Sequence, residues 1–335
     1  MKKFMSLLLA LLLVTSLGVP AFAEADKDAS FGKTYKLANP DTTSPAETFT
    51  FKFSNGQVTD AAEGTVAPAI PDSSVNFAEG EATSAGDTNN VAVALSDIDW
   101  PSVGIYTYDV KEVAGSTPGV TYSDEVLKLK VTVAYDADTQ TYYTAFVTLS
   151  LDDGDGDGIT DTKTGAFTNT YSAGSLAVTK TVTGNMGDRS KYFAINVTLT
   201  GEADKTYAAS YTVTGGSKLE NGTDDCTSST ISIGTPKTFY LKHGDTLTIH
   251  NLPYGVTYEV TEENYTGDGY TTTHTFSDNA KEIDSASDTV TITNNKKATV
   301  DTGVVLDSLP YVLLLVLSIG GVVLFVLKRR SSREC

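Results

Sequence analysis

Six polar residues lie at β-strand positions where a core residue is expected. This feature most constrains the fold that the chain can adopt. Alternate residues of a strand share one face. In the pattern Phe31-Gly32-Lys33-Thr34-Tyr35, Lys33 therefore points the same way as two aromatic rings. The six residues form two sets that follow one another in the order Lys, Glu, Asn. The first site is Lys33, Glu112 and Asn169, and the second site is Lys180, Glu262 and Asn294.

An unpaired buried charge is very costly, so we expect the members of each set to meet inside a core. Burial lowers the pKa of a lysine, which leaves a neutral amine that can act as a nucleophile. Burial also raises the pKa of a glutamate, and a protonated carboxyl can polarise an asparagine carbonyl by hydrogen bonding. A folded core holds the three groups at a high effective concentration.

Each set therefore predicts a self-formed amide between its lysine and its asparagine, with loss of ammonia. The pairs are Lys33 with Asn169 and Lys180 with Asn294, and Glu112 and Glu262 act once each as a general acid-base. The alternative is that the polar residues lie at half-buried strand edges and reach water. The repetition of the set in one order favours crosslinking. Strand alternation turns neighbours such as Lys36 away from the core, unless a β-bulge shifts the register.

Both ends of the chain carry apolar segments. Residues 1–23 are typical of a secretory signal peptide, with two early lysines, an apolar run and a small-x-small cleavage pattern. A second apolar run covers residues 309–327 and is followed by three basic residues. As a helix it would extend about 28 Å, which is enough to cross a bilayer. The basic tail is expected to stay in the cytoplasm and the body outside.

The body of the chain is predicted to be all-β. Short segments rich in Thr, Val, Tyr and Phe alternate with clusters of Gly, Asn, Asp and Ser, a pattern typical of β-sandwiches. The sequence predicts two sandwich domains in tandem, at 30–171 and 175–297, separated by a short joint around Gly174. Each has the size of a domain with its own core.

The net charge and the cysteine content limit the classes of function that the sequence allows. The net charge of −18 argues against nucleic acid and against anionic membrane surfaces as partners. Cys335 lies in the C-terminal tail and Cys226 is alone in the exported body, so no disulfide is expected within the exported domains. An exported body without disulfides is consistent with stabilisation by another kind of covalent crosslink. The three histidines show no metal-binding spacing, and no multi-turnover catalytic arrangement is visible, so an enzyme is not predicted.

The ordered motifs resemble those of a known family. The opening-strand lysine, the Tyr-x-Val-x-Glu of residues 108–112 and 258–262, and the closing Phe/Ile-x-Asn are similar to the isopeptide-forming domains of Gram-positive pilins. With its Pro-Ala-Glu-Thr-Phe at residues 45–49, the first domain resembles the streptococcal-type pilin isopeptide linkage domain. The second resembles collagen-adhesin B-type modules. The resemblance implies immunoglobulin-like sandwiches closed by the two Lys–Asn bonds named above.

The layout of residues 299–335 resembles a cell-wall sorting signal, which a sortase cuts between Thr302 and Gly303. The family commonly has proline where this chain has Asp301, and a plain transmembrane anchor is the alternative. Sortase-built pili also need an acceptor lysine. Lys163, just before the closing strand of the first domain, is the candidate, and an ordinary solvated lysine is the other interpretation.

One acidic segment resembles the first part of a calcium loop, with oxygen ligands at positions 1, 3, 5 and 9 and glycine at position 6. Position 12 is Thr164, not the usual glutamate, so a solvated acidic hairpin tip is the alternative. No other cofactor is expected. The candidate ligands are Asp153, Asp155, Asp157 and Asp161.

These features together predict a structural pilin subunit, of the shaft, on the surface of a Gram-positive bacterium. Its expected partners are a sortase, other pilin subunits and peptidoglycan. The alternative is a monomeric adhesin or minor pilin, anchored in the same way, that binds a host ligand.

Overall fold

The strands of the first half follow the alternation seen in the sequence. The computed structural model describes residues 28–151, 166–217, 228–298 and 309–331. In β1 the buried side chains are Phe31, Lys33, Tyr35 and Leu37, with half-buried residues between them. Aromatic and β-branched residues at alternate positions suit one apolar face of a sheet. The first half contains β1 Ala29–Leu37, β2 Glu47–Thr59, β3 Ser73–Phe77, β4 Asp87–Val93, β5 Gly104–Glu112, β6 Val120–Thr121, β7 Val126–Asp136, β8 Thr141–Leu151 and β9 Ala166–Tyr171.

The strands of this half form two facing sheets. One has the order β4-β1-β9-β6 and the other β3-β2-β5-β7-β8. Between them lies an aromatic core, in which the Tyr35 ring packs edge-on against Phe49 and Phe77 at 5.2 and 5.6 Å between centroids. Such edge-to-face contacts stabilise a core beyond the area they bury. The core fixes the separation of the sheets at the place where Lys33 lies.

The second half repeats this architecture with a more aliphatic core of Leu, Ile and Val side chains. Its sheets have the orders β13-β12-β15-β10-β18-β17 and β14-β11-β16. A short 3₁₀ turn, Thr266–Asp268, precedes β17. The strands are β10 Ala173–Thr183, β11 Phe193–Thr200, β12 Tyr211–Gly215, β13 Ser228–Ile231, β14 Lys237–Leu241, β15 Thr246–Pro253, β16 Thr257–Glu262, β17 Thr271–Phe276 and β18 Ser287–Asn295.

In each half the first strand pairs in parallel with the last strand. β1 pairs with β9 so that Lys33 is the register partner of Phe167. β10 pairs with β18 so that Lys180 is the register partner of Ile292. The two asparagines therefore lie two residues further along, on the same face as the lysines. The all-β prediction of two sandwiches in tandem is confirmed.

Hydrogen bonds join the two halves where β9 ends and β10 begins. The Asn39 side-chain amide donates to the Ala173 carbonyl at 2.6 Å and to the Tyr254 hydroxyl at 2.8 Å. Asn251 accepts from the Thr43 N–H and donates to the Thr43 carbonyl, both at 2.9 Å. These contacts cross the joint and restrict bending there.

The chain continues into one helix, α1, Leu309–Ser331. Among the residues that the structure describes, this helix alone is long and apolar enough to cross a membrane, over Tyr311–Arg330, by its length and composition. Its side chains in that range are exposed, and its last turn carries three basic residues. The predicted C-terminal apolar helix is therefore present, and it is long enough to span a membrane.

Two candidate crosslinking sites

The first site brings Lys33, Glu112 and Asn169 together inside the first core. Lys33 Nζ lies 2.5 Å from Glu112 Oε2, and both side chains are fully buried. Asn169 is also fully buried and donates from Nδ2 to Glu112 Oε1. One carboxyl thus bridges the amine and the amide nitrogen, which is the arrangement needed to move a proton from one nitrogen to the other.

Strand pairing explains why these three residues meet. Lys33 and Asn169 come from the neighbouring parallel strands β1 and β9. Glu112 ends β5 in the facing sheet, where its register partner is Phe51. Two residues earlier on β2, Phe49 places its ring centroid 4.4 Å from Lys33 Nζ. The amine is therefore enclosed between a carboxyl and an aromatic ring.

Burial shifts the pKa values of the lysine and the glutamate in the first site. It lowers the pKa of Lys33 to about 8, against the opposing effect of Glu112. It also raises the pKa of Glu112, although Lys33 and Asn169 act in the other direction. Both shifts favour the neutral forms, a free amine next to a protonated carboxyl. That pair is the reactive combination for amide formation.

The carbonyl of Asn169 is contacted by a different donor from the one the sequence suggested. From the sequence, the glutamate was expected to polarise the asparagine carbonyl. In the structure Glu112 contacts the amide nitrogen, and the main-chain N–H of Ser123 donates to Asn169 Oδ1 at 2.9 Å. The carboxyl is therefore in contact with both nitrogens of the site, and the carbonyl accepts from the backbone.

The second site has the same plan in the second core. Lys180 Nζ lies 2.7 Å from Glu262 Oε1, with 0% and 1% of the two side chains exposed. Asn294 is fully buried on β18 beside β10. Phe193 places its ring centroid 4.4 Å from Lys180 Nζ. Burial lowers the pKa of Lys180, against the opposing effect of Glu262.

The aromatic rings hold equivalent positions in the two halves. Phe49 lies two residues before Phe51, the register partner of Glu112. Phe193 likewise lies two residues before Ile195, the register partner of Glu262. Sequence reasoning missed both rings as site residues. In both halves the ring lies two residues before the register partner of the glutamate. This spacing could have identified the rings from the sequence only if the strand pairing had been known.

The second site differs from the first in its hydrogen bonds. Glu262 Oε2 accepts from the Thr272 hydroxyl at 2.9 Å, so this oxygen is held by β17. The Lys180–Glu262 pair is close, but its angles fall outside hydrogen-bond geometry. Among the residues that the structure describes, neither amide atom of Asn294 has a hydrogen-bond partner. The second site is enclosed, but its carboxamide is less fixed.

Alternation also separates the site residues from their neighbours as expected. Lys36 and Asn295 are half-buried, while Lys33 and Asn294 are fully buried. Glu259 is exposed, while the Glu262 side chain is enclosed. No β-bulge shifts the register at these positions.

Several predicted residues lie outside the described ranges. They include the sorting position at Thr302 and Gly303 and the candidate acceptor Lys163. The four candidate calcium ligands Asp153, Asp155, Asp157 and Asp161 also fall there. Calcium binding and the acceptor role stay predictions.

Fold and sites together define a class of protein. It is an all-β chain of two sandwiches, and in each one a lysine of the first strand and an asparagine of the last strand are enclosed with a carboxyl from the facing sheet. Residues 29–172 match the family model described as a Spy0128-like isopeptide containing domain. Residues 174–296 match a domain family of unknown function.

The chain is also similar to individual pilins. It is 30% identical over 259 residues to a pilin of Streptococcus pyogenes serotype M1, covering 73% of each chain. The crystal structure of the major pilin from Streptococcus pyogenes matches with a TM-score of 0.55 at 24% identity, over 82% of this chain and 100% of that one. A mutant of that pilin gives 0.57 at the same identity and the same coverage. The chain belongs to the pilin family, and it is a structural pilus subunit with an isopeptide-type first half.

Proposed function

We propose that this pilin closes each of its two sandwiches with a permanent Lys–Asn isopeptide bond, Lys33 to Asn169 and Lys180 to Asn294. The observation that carries the proposal is the buried contact of Glu112 with both Lys33 Nζ and the Asn169 amide nitrogen. Three reactive groups enclosed at hydrogen-bond distance have the proximity that amide formation needs.

The chemistry is a single turnover at each site. The neutral lysine amine adds to the asparagine Cγ, the new C–N bond forms, and the Cγ–Nδ2 bond breaks. Glu112 accepts the proton that leaves Lys33 Nζ and gives a proton to Asn169 Nδ2, which departs as ammonia. Glu262 has the same role between Lys180 and Asn294. Each glutamate ends in the protonation state in which it began.

The position of the bonds suits a subunit under tension. Each bond would link the first strand of a sandwich to the last one, and these strands are neighbours in parallel register. Force entering at one end of a half would pass through the covalent link, and the strands between would carry little of it. This mechanical role fits a shaft subunit better than an anchored monomeric adhesin.

The proposal extends to export and assembly. The body is on the cell surface, α1 spans the membrane before sorting, and a sortase cleaves between Thr302 and Gly303. Lys163 then accepts the carboxyl end of the next pilin subunit, and the last subunit is joined to peptidoglycan. The basic last turn of α1 and the pilin relatives support this arrangement.

Peptide mass spectrometry of the full chain tests the crosslinks. The unaltered chain should give two branched peptides, each lighter by one ammonia than the sum of its parts. Glu112→Ala should abolish only the Lys33–Asn169 peptide, and Glu262→Ala only the Lys180–Asn294 peptide. Unmodified lysine and asparagine in the unaltered chain would reject the proposal.

Assembly is tested on the cell surface. Wall extracts probed with an antibody to this chain should show a ladder that survives hot detergent, and Lys163→Arg should collapse it. A single monomer band, with loss of host attachment when the chain is deleted, would favour the alternative of a monomeric adhesin.

A further inference from the structure

The carbonyl of Asn169 has a polarising donor that comes from an irregular segment outside both partner strands. The main-chain N–H of Ser123, a half-buried residue, donates to Oδ1 of the fully buried Asn169 at 2.9 Å. Ser123 lies between β6 and β7, two residues beyond the end of β6. We propose that this N–H is an oxyanion donor for the first crosslink, so that a backbone group acts as a catalytic group beside Glu112. The inference rests on the proposed crosslinking function.

The chemistry gives the donor a defined role. When Lys33 Nζ adds to Asn169 Cγ, the carbonyl π electrons move onto Oδ1, which becomes an oxyanion. A preorganised N–H aimed at that oxygen stabilises the charge as it develops. The electrons return when the Cγ–Nδ2 bond breaks and ammonia leaves with the proton passed through Glu112. No further reactant enters the step.

The segment that carries this N–H is fastened to the site. The Thr117 hydroxyl donates to Glu47 Oε2 at 2.5 Å, and the Tyr122 hydroxyl donates to Glu47 Oε1 at 3.2 Å. The Tyr122 ring packs edge-on against Phe49 at 6.1 Å between centroids. Phe49 is the ring that covers the Lys33 amine. The donor and the nucleophile are therefore held by one connected set of contacts.

The second site has no equivalent donor within the described ranges. Both amide atoms of Asn294 lack hydrogen-bond partners there, and the second oxygen of Glu262 is occupied by Thr272. A carboxamide with a preorganised donor reacts faster than one without it. The first crosslink should therefore form before the second one in each molecule.

The test follows both crosslinks in time in the full chain, made by cell-free translation in detergent and quenched at intervals. Ser123→Pro removes the N–H, and it should slow the Lys33–Asn169 crosslink by about 100-fold. Asp124→Pro places a proline in the same segment but keeps the donor, and Ser123→Ala keeps the N–H. Both controls should form the crosslink at close to the unaltered rate, because the donor to Asn169 Oδ1 is kept.

The second crosslink in the same molecules reports folding independently. Equal rates for Ser123→Pro and Asp124→Pro would overturn the inference, while absence of both crosslinks in the unaltered chain would instead reject the proposed function. If Ser123→Pro does not fold, a main-chain ester at residue 123 removes the same N–H while keeping the side chain. An ester chain that crosslinks at the unaltered rate would also overturn the inference.

Discussion

Lys33 Nζ lies 2.5 Å from Glu112 Oε2 across the gap between the two sheets of the first sandwich. Lys180 and Glu262 repeat this relationship in the second sandwich at 2.7 Å. In both cases the lysine comes from a strand paired in parallel with the last strand of its half. A carboxyl from the facing sheet thus contacts an amine and lies beside a carboxamide on the neighbouring strand. This arrangement explains how an aromatic core and a more aliphatic core can enclose the same three groups.

Removing the first crosslink should destabilise the first half strongly. The bond would close the chain between residues 33 and 169, and the chain-entropy model gives about 5 kcal/mol for so long a loop. Asn169→Ala should lower the melting temperature of this half by at least about 10 °C in calorimetry of the full chain. Thr168→Ala, an exposed truncation on the same strand, is the matched control. Equal melting of the two variants would mean that no bond is lost.

The uncrosslinked variant should also show an unusual pH dependence. In Asn169→Ala the amine of Lys33 stays free, and burial lowers its pKa from 10.5 to about 8. Between these two values the unfolded chain binds more protons than the folded chain. Stability therefore rises with pH across this window, and the destabilisation is fully present below it. The full effect is on the order of 3 kcal/mol.

Urea unfolding from about pH 7.5 to about pH 9.5 measures this effect. Buried tyrosines act in the opposite direction at higher pH, because burial raises the pKa of groups such as Tyr35. The double variant Lys33→Met with Asn169→Ala lacks the titrating amine and is the reference. Parallel stability curves for the two chains would show that Lys33 is not buried as a free amine.

Phe193 should matter for the rate of the second crosslink. Phe193→Ala would leave a cavity beside Lys180 Nζ and cost about 3–5 kcal/mol of stability. Water entering that space would return the pKa of Lys180, now lowered by burial, toward its ordinary value. A larger protonated fraction would slow the Lys180–Asn294 crosslink.

A time course of the crosslinked peptides checks this expectation. Phe193→Leu keeps the space apolar and should slow the reaction less than Phe193→Ala does. The first crosslink in the same molecules serves as an internal reference. If Phe193→Ala formed the second crosslink at the unaltered rate, the ring would have no part in keeping the amine neutral.

The parts of the sites that follow strand alternation were predictable from the sequence. A period of two is a local property, so the faces of Lys33, Lys180 and Asn294 could be read directly from their neighbours. The meeting of lysine with glutamate followed from the cost of an unpaired buried charge. Neither feature depends on which strands pair.

Other parts depend on long-range pairing and could not be predicted. The place of Phe49 is set by the pairing of β2 with β5, far apart in the sequence. The N–H of Ser123 belongs to an irregular segment, and a backbone donor leaves no side-chain signature. The hydrogen bond from Thr272 to Glu262 likewise depends on the pairing of β17 with β18.

The joint between the halves gives the last prediction. Asn39 and Asn251 make four hydrogen bonds across it, to Ala173, Tyr254 and Thr43. Each such bond contributes about 0.5–1.5 kcal/mol net. The double variant Asn39→Ala with Asn251→Ala removes all four without touching either core. Both crosslinks should still form, while the angle between the halves should vary more widely.

Pulsed electron paramagnetic resonance measures that variation. Spin labels at the exposed positions Glu63→Cys and Glu259→Cys, in a chain with its two native cysteines changed to serine, should show a broader distance distribution in the double variant. Asn185→Ala, which loses hydrogen bonds only to Ala298 within the second half, should leave the distribution narrow. The Tyr254 N–H still donates to the Ser172 carbonyl at 3.0 Å, so the halves stay adjacent. An unchanged width in the double variant would mean that the backbone alone fixes the joint.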